Sequence, residues 1–146
     1  MSERPVVPEG FTTLNITEPF STRVGPIYGR RDGDMLRLGF VVDASHLNIE
    51  GVAHGGMLST MADQVIGMNI ALANNQGNDV LTLHLSVDFI GPAYLGDWVE
   101  GIATLSKVSG RVRFGSCELW VQDRLVLKAS AIFAARVNRN KVLPKD

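Results

Sequence analysis

His54-Gly55-Gly56-Met57-Leu58-Ser59-Thr60-Met61-Ala62-Asp63-Gln64-Val65-Ile66-Gly67-Met68-Asn69-Ile70-Ala71-Leu72 is the run on which the fold turns. At about 100° per residue, Met57, Met61, Val65, Met68 and Leu72 fall on one stripe with Leu58 at its edge, which predicts a helix over residues 54–76. The segment Asn74-Asn75-Gln76-Gly77-Asn78 supplies the stop. Asp63 is the only charged residue between Gly55 and Asn78, whereas a helix half in water would carry several Lys and Glu on its outer face. The face opposite the stripe, Gly56, Ser59, Thr60, Asp63, Ile66, Gly67 and Ile70, is small or apolar apart from that carboxylate. A sheet against one face and a partner subunit or substrate against the other would cover both, so the helix is read as central.

On either side of the helix the sequence reads as β. From Val80 to Ile90, Leu81, Leu83, Leu85, Val87 and Phe89 alternate with Thr82, His84, Ser86 and Asp88, a period of two. Further strands are expected near Trp98–Val108, Val112–Gln122 and Leu125–Arg136, separated by turns at Gly91-Pro92 with Gly96-Asp97, at Ser109-Gly110 and at Gln122-Asp123-Arg124. Upstream, Ile27–Arg30 and Met35–Val42 read as a hairpin across Arg31-Asp32-Gly33-Asp34, where Asp-Gly suits a positive φ. Short connections of this kind join antiparallel neighbours. Residues 1–25, with Pro5, Pro8, Gly10, Pro19 and Gly25, read as an arm over the body with room for one short helix, and residues 26–146 as a single domain. The class is α+β: one antiparallel sheet and one long central helix.

Composition narrows the function. The chain has 146 residues, 45% hydrophobic and 20% charged, with net charge −1. The length suits one domain, and the charge lacks the basic footprint that phosphate-backbone binding needs, so no nucleic-acid partner is expected. The single cysteine, Cys117, excludes an intramolecular disulfide and fits a reducing compartment. Met1-Ser2-Glu3-Arg4-Pro5 opens no apolar signal segment, and no run of 18 apolar residues occurs, so a cytoplasmic protein without a membrane partner is expected. His46, His54 and His84 have spacings that match no metal-ligand pattern, and no phosphate loop or nucleophile elbow is present, so neither metal nor cofactor is expected.

The helix start carries the chemistry. Two glycines in a first turn are each about 1 kcal/mol worse than alanine, so their presence points to a need for exposed backbone. The free N–H groups there, at the positive end of the helix dipole, suit a negative or developing negative oxygen. Gly56 and Asp63 are seven residues apart, about 20° off register, so the carboxylate lies along the same side. An unpaired carboxylate in low-dielectric surroundings is costly. Asp63 is therefore either exposed, paired with a cation, or kept for work as a base or nucleophile. A base and an oxyanion site on one helix are the minimum for acyl hydrolysis. Seven helical residues nevertheless span about 10 Å, too far for both groups to meet one carbonyl within one subunit. Two antiparallel helices in a dimer would bring the glycines of one chain to the Asp of the other.

Asn48, Gly51, His54-Gly55-Gly56 and Asp63, followed by Phe89-Ile90-Gly91-Pro92-Ala93, Gly96-Asp97 and Gly110-Arg111, resemble the hotdog-fold thioesterases of the phenylacetate-pathway type over roughly residues 26–137. The resemblance implies a hotdog fold, a homodimer or a homotetramer built as a dimer of dimers, and an acyl- or aroyl-coenzyme A substrate. It implies that Asp63 activates water or attacks the thioester carbonyl, and that the Gly55 N–H binds the carbonyl oxygen. Asn48 would help hold the carbonyl or the water, and Thr82 would orient the water. His54 would lie near the site in a mainly structural role.

Around these, Gly56, Ile66, Phe89 and Met57 are candidates for contact with substrate, and Arg111, in the cluster with Lys107 and Arg113, is a candidate for the coenzyme A phosphates. Cys117 reads as a small buried hydrophobe and not as a nucleophile. Two alternatives stand beside hydrolysis. A hotdog hydratase or dehydratase would use a catalytic His, which the Gly-Gly helix start fits less well. A non-catalytic acyl-coenzyme A sensor would gain little from a desolvated carboxylate facing a thioester.

Overall fold

The computed structural model describes residues 6–16, 18–73 and 79–136. The chain runs β1 (Thr12–Thr13), α1 (Pro19–Val24), β2 (Tyr28–Asp32), β3 (Met35–Val41), a 3₁₀ turn (Ala44–His46), α2 (Gly55–Leu72), β4 (Val80–Phe89), β5 (Trp98–Lys107), β6 (Val112–Val121) and β7 (Arg124–Ala135). The strands form one antiparallel sheet in the order β1-β2-β3-β5-β6-β7-β4. α2 lies against β3, β4, β5, β6 and β7, which makes it central as its sequence requires. The hairpin between β2 and β3 turns at Gly33, whose φ of +61° is open to glycine without strain.

α2 docks because glycines leave room for it. A Cβ at Gly101 would lie 2.5 Å from Val65, one at Gly115 would lie 2.9 Å from Ile66, and one at Gly67 would lie 3.0 Å from Phe133. Large side chains on one element thus enter the space left by glycine on the other. This packing corrects the helical stripe read from sequence. Met57, Met61 and Val65, with Leu58 at the stripe's edge, are buried as expected, but so are Ala62, Ile66, Gly67, Asn69 and Ile70. Leu72 is 43% exposed and Met68 only partly buried. A sheet curled around the helix covers a wider arc than a flat one, and that arc reaches the face assigned above to a partner. The outer face that remains is Gly56, Ser59, Thr60, Asp63 and Gln64, none of them fully buried. Ile66, a candidate for substrate contact, is 0% exposed and packs on Gly115, so it belongs to the core.

β4 also departs from its clean alternation. The register with β7 shifts between Thr82 and His84, a β-bulge. One extra residue reverses which face every later side chain meets. Leu85 and Val87 therefore pack on the core, and Thr82, not Leu81, shares their face. Leu81 and Leu83 are left 49% and 59% exposed on an edge strand.

Cys117 is buried on β6 with its thiol 3.8 Å from the Ala62 carbonyl oxygen, and burial pushes its pKa up to about 12. At pH 8 the native thiol stays protonated and is expected to resist Ellman's reagent, reacting at least about a hundredfold more slowly than in denaturant, since the thiolate is the reactive form. Fast native labelling, followed by absorbance at 412 nm, would contradict this burial.

Candidate active site

The segment before α2 is held by hydrogen bonds from its side chains to the backbone. His46 Nδ1 accepts the Asp43 N–H at 3.0 Å, and its Nε2–H donates to the Val24 carbonyl at 2.6 Å. The His46 carbonyl in turn accepts the His54 N–H at 2.7 Å. Between them, Asn48 Oδ1 accepts the N–H groups of Glu50 and Val52 at 3.0 and 3.2 Å, and Gly51 takes a φ of +77°. The loop is thereby a rigid lead into the helix.

His54 caps α2, its Nδ1 accepting the Gly56 N–H at 2.8 Å. A Cβ at Gly56 would lie 2.9 Å from that nitrogen, which is why glycine stands there. The Met57 N–H returns to the His54 carbonyl at 2.9 Å. Among the described residues this leaves the Gly55 N–H alone in the first turn without a partner, at the positive end of the helix dipole. A Cβ at Gly55 would lie 3.2 Å from the Phe89 ring, so an aromatic edge borders that N–H.

Two turns along, Asp63 is half-buried and its Oδ1 accepts the Thr82 hydroxyl at 2.5 Å. No cation pairs with it among the described residues, so the ion-pair reading of this carboxylate falls. Its second oxygen has no protein partner there, and Asp63 lines a cleft of about 360 Å³ together with Ser59, Thr60 and Leu85. The arrangement offers an oriented carboxylate oxygen to a water or an electrophilic carbon, and a separate N–H donor to an anionic oxygen.

Residues 50–128 match the thioesterase superfamily model. The chain belongs to the thioesterase superfamily. It is 38% identical over 128 residues to the "Putative esterase PA0474" of Pseudomonas aeruginosa, covering 87% of this chain and 96% of that protein. It is 35% identical over 85 residues to the acyl-coenzyme A thioesterase THEM4 of Xenopus laevis, covering 57% of this chain but only 37% of that one. Its fold superposes on a point mutant of the phenylacetic acid degradation protein PaaI from Thermus thermophilus with a TM-score of 0.70 at 23% identity, over 80% of this chain and 98% of the other. The sheet and central helix are those of the hotdog fold.

Within this thioesterase architecture, Asp63 and Thr82 meet, Gly55 lies under Phe89, and His54 binds Gly56. The Gly56 N–H is consequently spent on the cap, while Asn48 has its carbonyl oxygen committed to its own loop and its amide nitrogen unengaged among the described residues. Arg111 is exposed in the turn before β6, its side chain in no ion pair among the described residues. His84 sits on the far face of β4, in register with Ile132 and away from α2. No cluster of three or more His, Cys, Asp or Glu suited to a metal occurs among the described residues, and no helix there is long and apolar enough to cross a membrane. Sequence reasoning missed the part that α1 plays. Glu18 and Phe20 line the Asp63 cleft, and Gln64 Nε2 donates to Ser21 Oγ at 2.6 Å. Pro19 at the first helical position after Glu18 signals a helix start, yet nothing local says what that helix covers.

Proposed function

We propose that this chain hydrolyses acyl- or aroyl-coenzyme A thioesters to the free acid and coenzyme A. The observation that carries the reading is the Asp63 carboxylate, held by Thr82 with one oxygen free, on the helix whose first turn presents the Gly55 N–H. In the general-base course Asp63 takes a proton from water as the oxygen adds to the thioester carbonyl. The Gly55 N–H donates to the resulting oxyanion. The C–S bond then breaks, and the thiolate leaves with the proton returned from Asp63. In the nucleophilic course Asp63 adds to the carbonyl itself, coenzyme A departs, and water hydrolyses the mixed anhydride. The geometry serves both.

A span of about 12 Å along α2 separates the two groups, so the site is shared between two antiparallel helices of a homodimer, or of each dimer in a tetramer. The edge position of β4, with Leu81 and Leu83 exposed, supports such pairing. Asn48, through its free amide, would assist at the carbonyl, Phe89 would border the acyl group, and Arg111 would meet a coenzyme A phosphate. A coenzyme A substrate and a lone reduced cysteine support a cytoplasmic setting.

The test is free-thiol release from a panel of aryl and aliphatic acyl-coenzyme A thioesters, alongside sedimentation at micromolar concentration. Turnover by a dimer or tetramer supports the reading; an inert protein or a monomer overturns it. Thr82→Val is expected to lower kcat about 10- to 100-fold, since a hydrogen bond to a charged group contributes about 1.5–3 kcal/mol. Thr82→Ser should restore most of the rate, and a valine variant at the wild-type rate would remove Thr82 from the site.

A further inference from the structure

α1 is tied to the outer face of α2 near its start and to the turn that precedes α2 at its end. Near its start, Gln64 Nε2 donates to the buried Ser21 Oγ at 2.6 Å, and at its end the Val24 carbonyl accepts His46 Nε2–H at 2.6 Å. Gln64 follows Asp63 in the chain, and the His46 carbonyl holds the His54 N–H. The short helix is thus tied to the neighbours of both groups that the reaction uses. Just before the first of these ties, Phe20 remains 55% exposed. It borders the cleft of about 360 Å³ at Asp63 and also a second depression of about 300 Å³ lined by His54, Gly56, Met57 and Thr60. One aromatic side chain thus lines both the depression at the carboxylate and the one at the start of the helix.

The first cleft has a second feature. Glu18 lines it together with Asp63, and among the described residues no Lys, Arg or His does. Glu18 caps α1: Ser21 donates to it through its hydroxyl and, at 3.1 Å, its N–H, and the Phe20 N–H adds a bond of 3.0 Å. The Ser21 hydroxyl foremost holds this carboxyl below its usual range, so it is ionised at neutral pH.

Resting on the thioesterase reading, we propose that α1 sets the acyl specificity of this site, with Phe20 as the wall that limits bulk and length and Glu18 as the charge that rejects acyl groups bearing their own carboxylate. The substrate class is then a neutral aryl or aliphatic acyl thioester, as against the monothioester of a dicarboxylic acid. Rejection works through like charge in a cleft where no cation among the described residues offsets it.

The experiment compares kcat/KM for straight-chain, aryl and ω-carboxyacyl coenzyme A thioesters in wild type, Phe20→Ala, Phe20→Leu and Glu18→Gln. Phe20→Ala is expected to raise the ratio of long or bulky to short acyl groups about tenfold, with Phe20→Leu between. Glu18→Gln keeps one acceptor oxygen for the Ser21 N–H and gives up the bond from the Phe20 N–H, and is expected to raise the ratio of ω-carboxyacyl to neutral acyl groups of equal length about tenfold. Ratios are read because a loosened α1 would lower every rate together. Unchanged ratios in either set overturn the specificity role, as does a Phe20→Leu variant that loses the wild-type oligomeric state. A wild type inert toward every thioester overturns the thioesterase reading itself.

Discussion

Replacing Asp63 by Asn is expected to lower kcat for acyl-coenzyme A hydrolysis at least about a thousandfold while leaving substrate affinity within about tenfold. The substitution is isosteric, and its carbonyl oxygen can still accept the Thr82 hydroxyl that Asp63 accepts at 2.5 Å. An amide can neither take a proton from water nor attack a carbonyl, so both courses fail together. The half-buried position and the absence of a cationic partner among the described residues argue that the carboxylate has no structural ion pair to lose. Fold and assembly should therefore survive. Steady-state thiol release gives kcat, and calorimetry with a non-hydrolysable thioether analogue gives Kd. A variant keeping more than about a tenth of turnover would assign the chemistry elsewhere.

Asn69→Ala is expected to be the most damaging single change to stability, about 3–5 kcal/mol, or a fall in Tm of about 10–15 °C. Asn69 is 1% exposed on α2, and its side chain serves both backbone groups of Leu36: Oδ1 accepts the N–H at 2.8 Å and Nδ2 donates to the carbonyl at 2.9 Å. Nδ2 also donates to the Val65 carbonyl at 2.8 Å. β5 pairs with β3 only from Leu38 to Val41, so at Leu36 the amide stands in for a missing strand. Truncation leaves a buried donor and acceptor unpaired and adds a cavity. Asn69→Leu should fail nearly as badly, because filling the volume does not satisfy the backbone. Thermal unfolding at fixed protein concentration reads the effect, and a Tm within about 3 °C of wild type would show that water replaces the amide at little cost.

The elements that were legible in the sequence are those whose signals are local. Asp-Gly between two apolar runs gave the β2–β3 hairpin, and the periodic run after His54 gave α2. The strands β5, β6 and β7 fall within a residue or two of their turn signals. What escaped depends on partners distant in the chain. Which face of α2 the sheet covers is decided by Gly101 and Gly115, dozens of residues away, so nothing local to Ile66 tells that it fills the core and does not meet substrate. The bulge in β4 has no mark in an alternating run, although it is what turns Thr82 toward Asp63. Thr82 entered the candidate site through family resemblance, where periodicity alone would have left it on the far face. Asn69 read as one more polar residue in a helix, because its role rests on a register gap between β3 and β5. α2 ends at Leu72 with Ala73 as its cap, short of the expected residue 76, and the Asn74–Asn78 stop segment lies outside the described residues.

The site divides the same way. Asp63 and the paired glycines stood out because a lone charge and two poor helix formers in one apolar helix demand a reason. The structure adds a division of labour between the glycines: one yields its N–H to the His54 cap and the other keeps its N–H free. α1 contributes Glu18 and Phe20 to the cleft from a segment whose sequence said almost nothing.

The most direct measurement is a single-turnover reaction with enzyme in excess over one acyl-coenzyme A, run with wild type and Asp63→Asn and quenched for chromatography of acid, thioester and coenzyme A. The account expects wild type to convert the bound thioester fully to acid and coenzyme A, and the variant to return it intact. Conversion at equal rates in both, or intact thioester recovered from a wild type that binds it, would contradict the assignment of a thioester-hydrolysing site to Asp63.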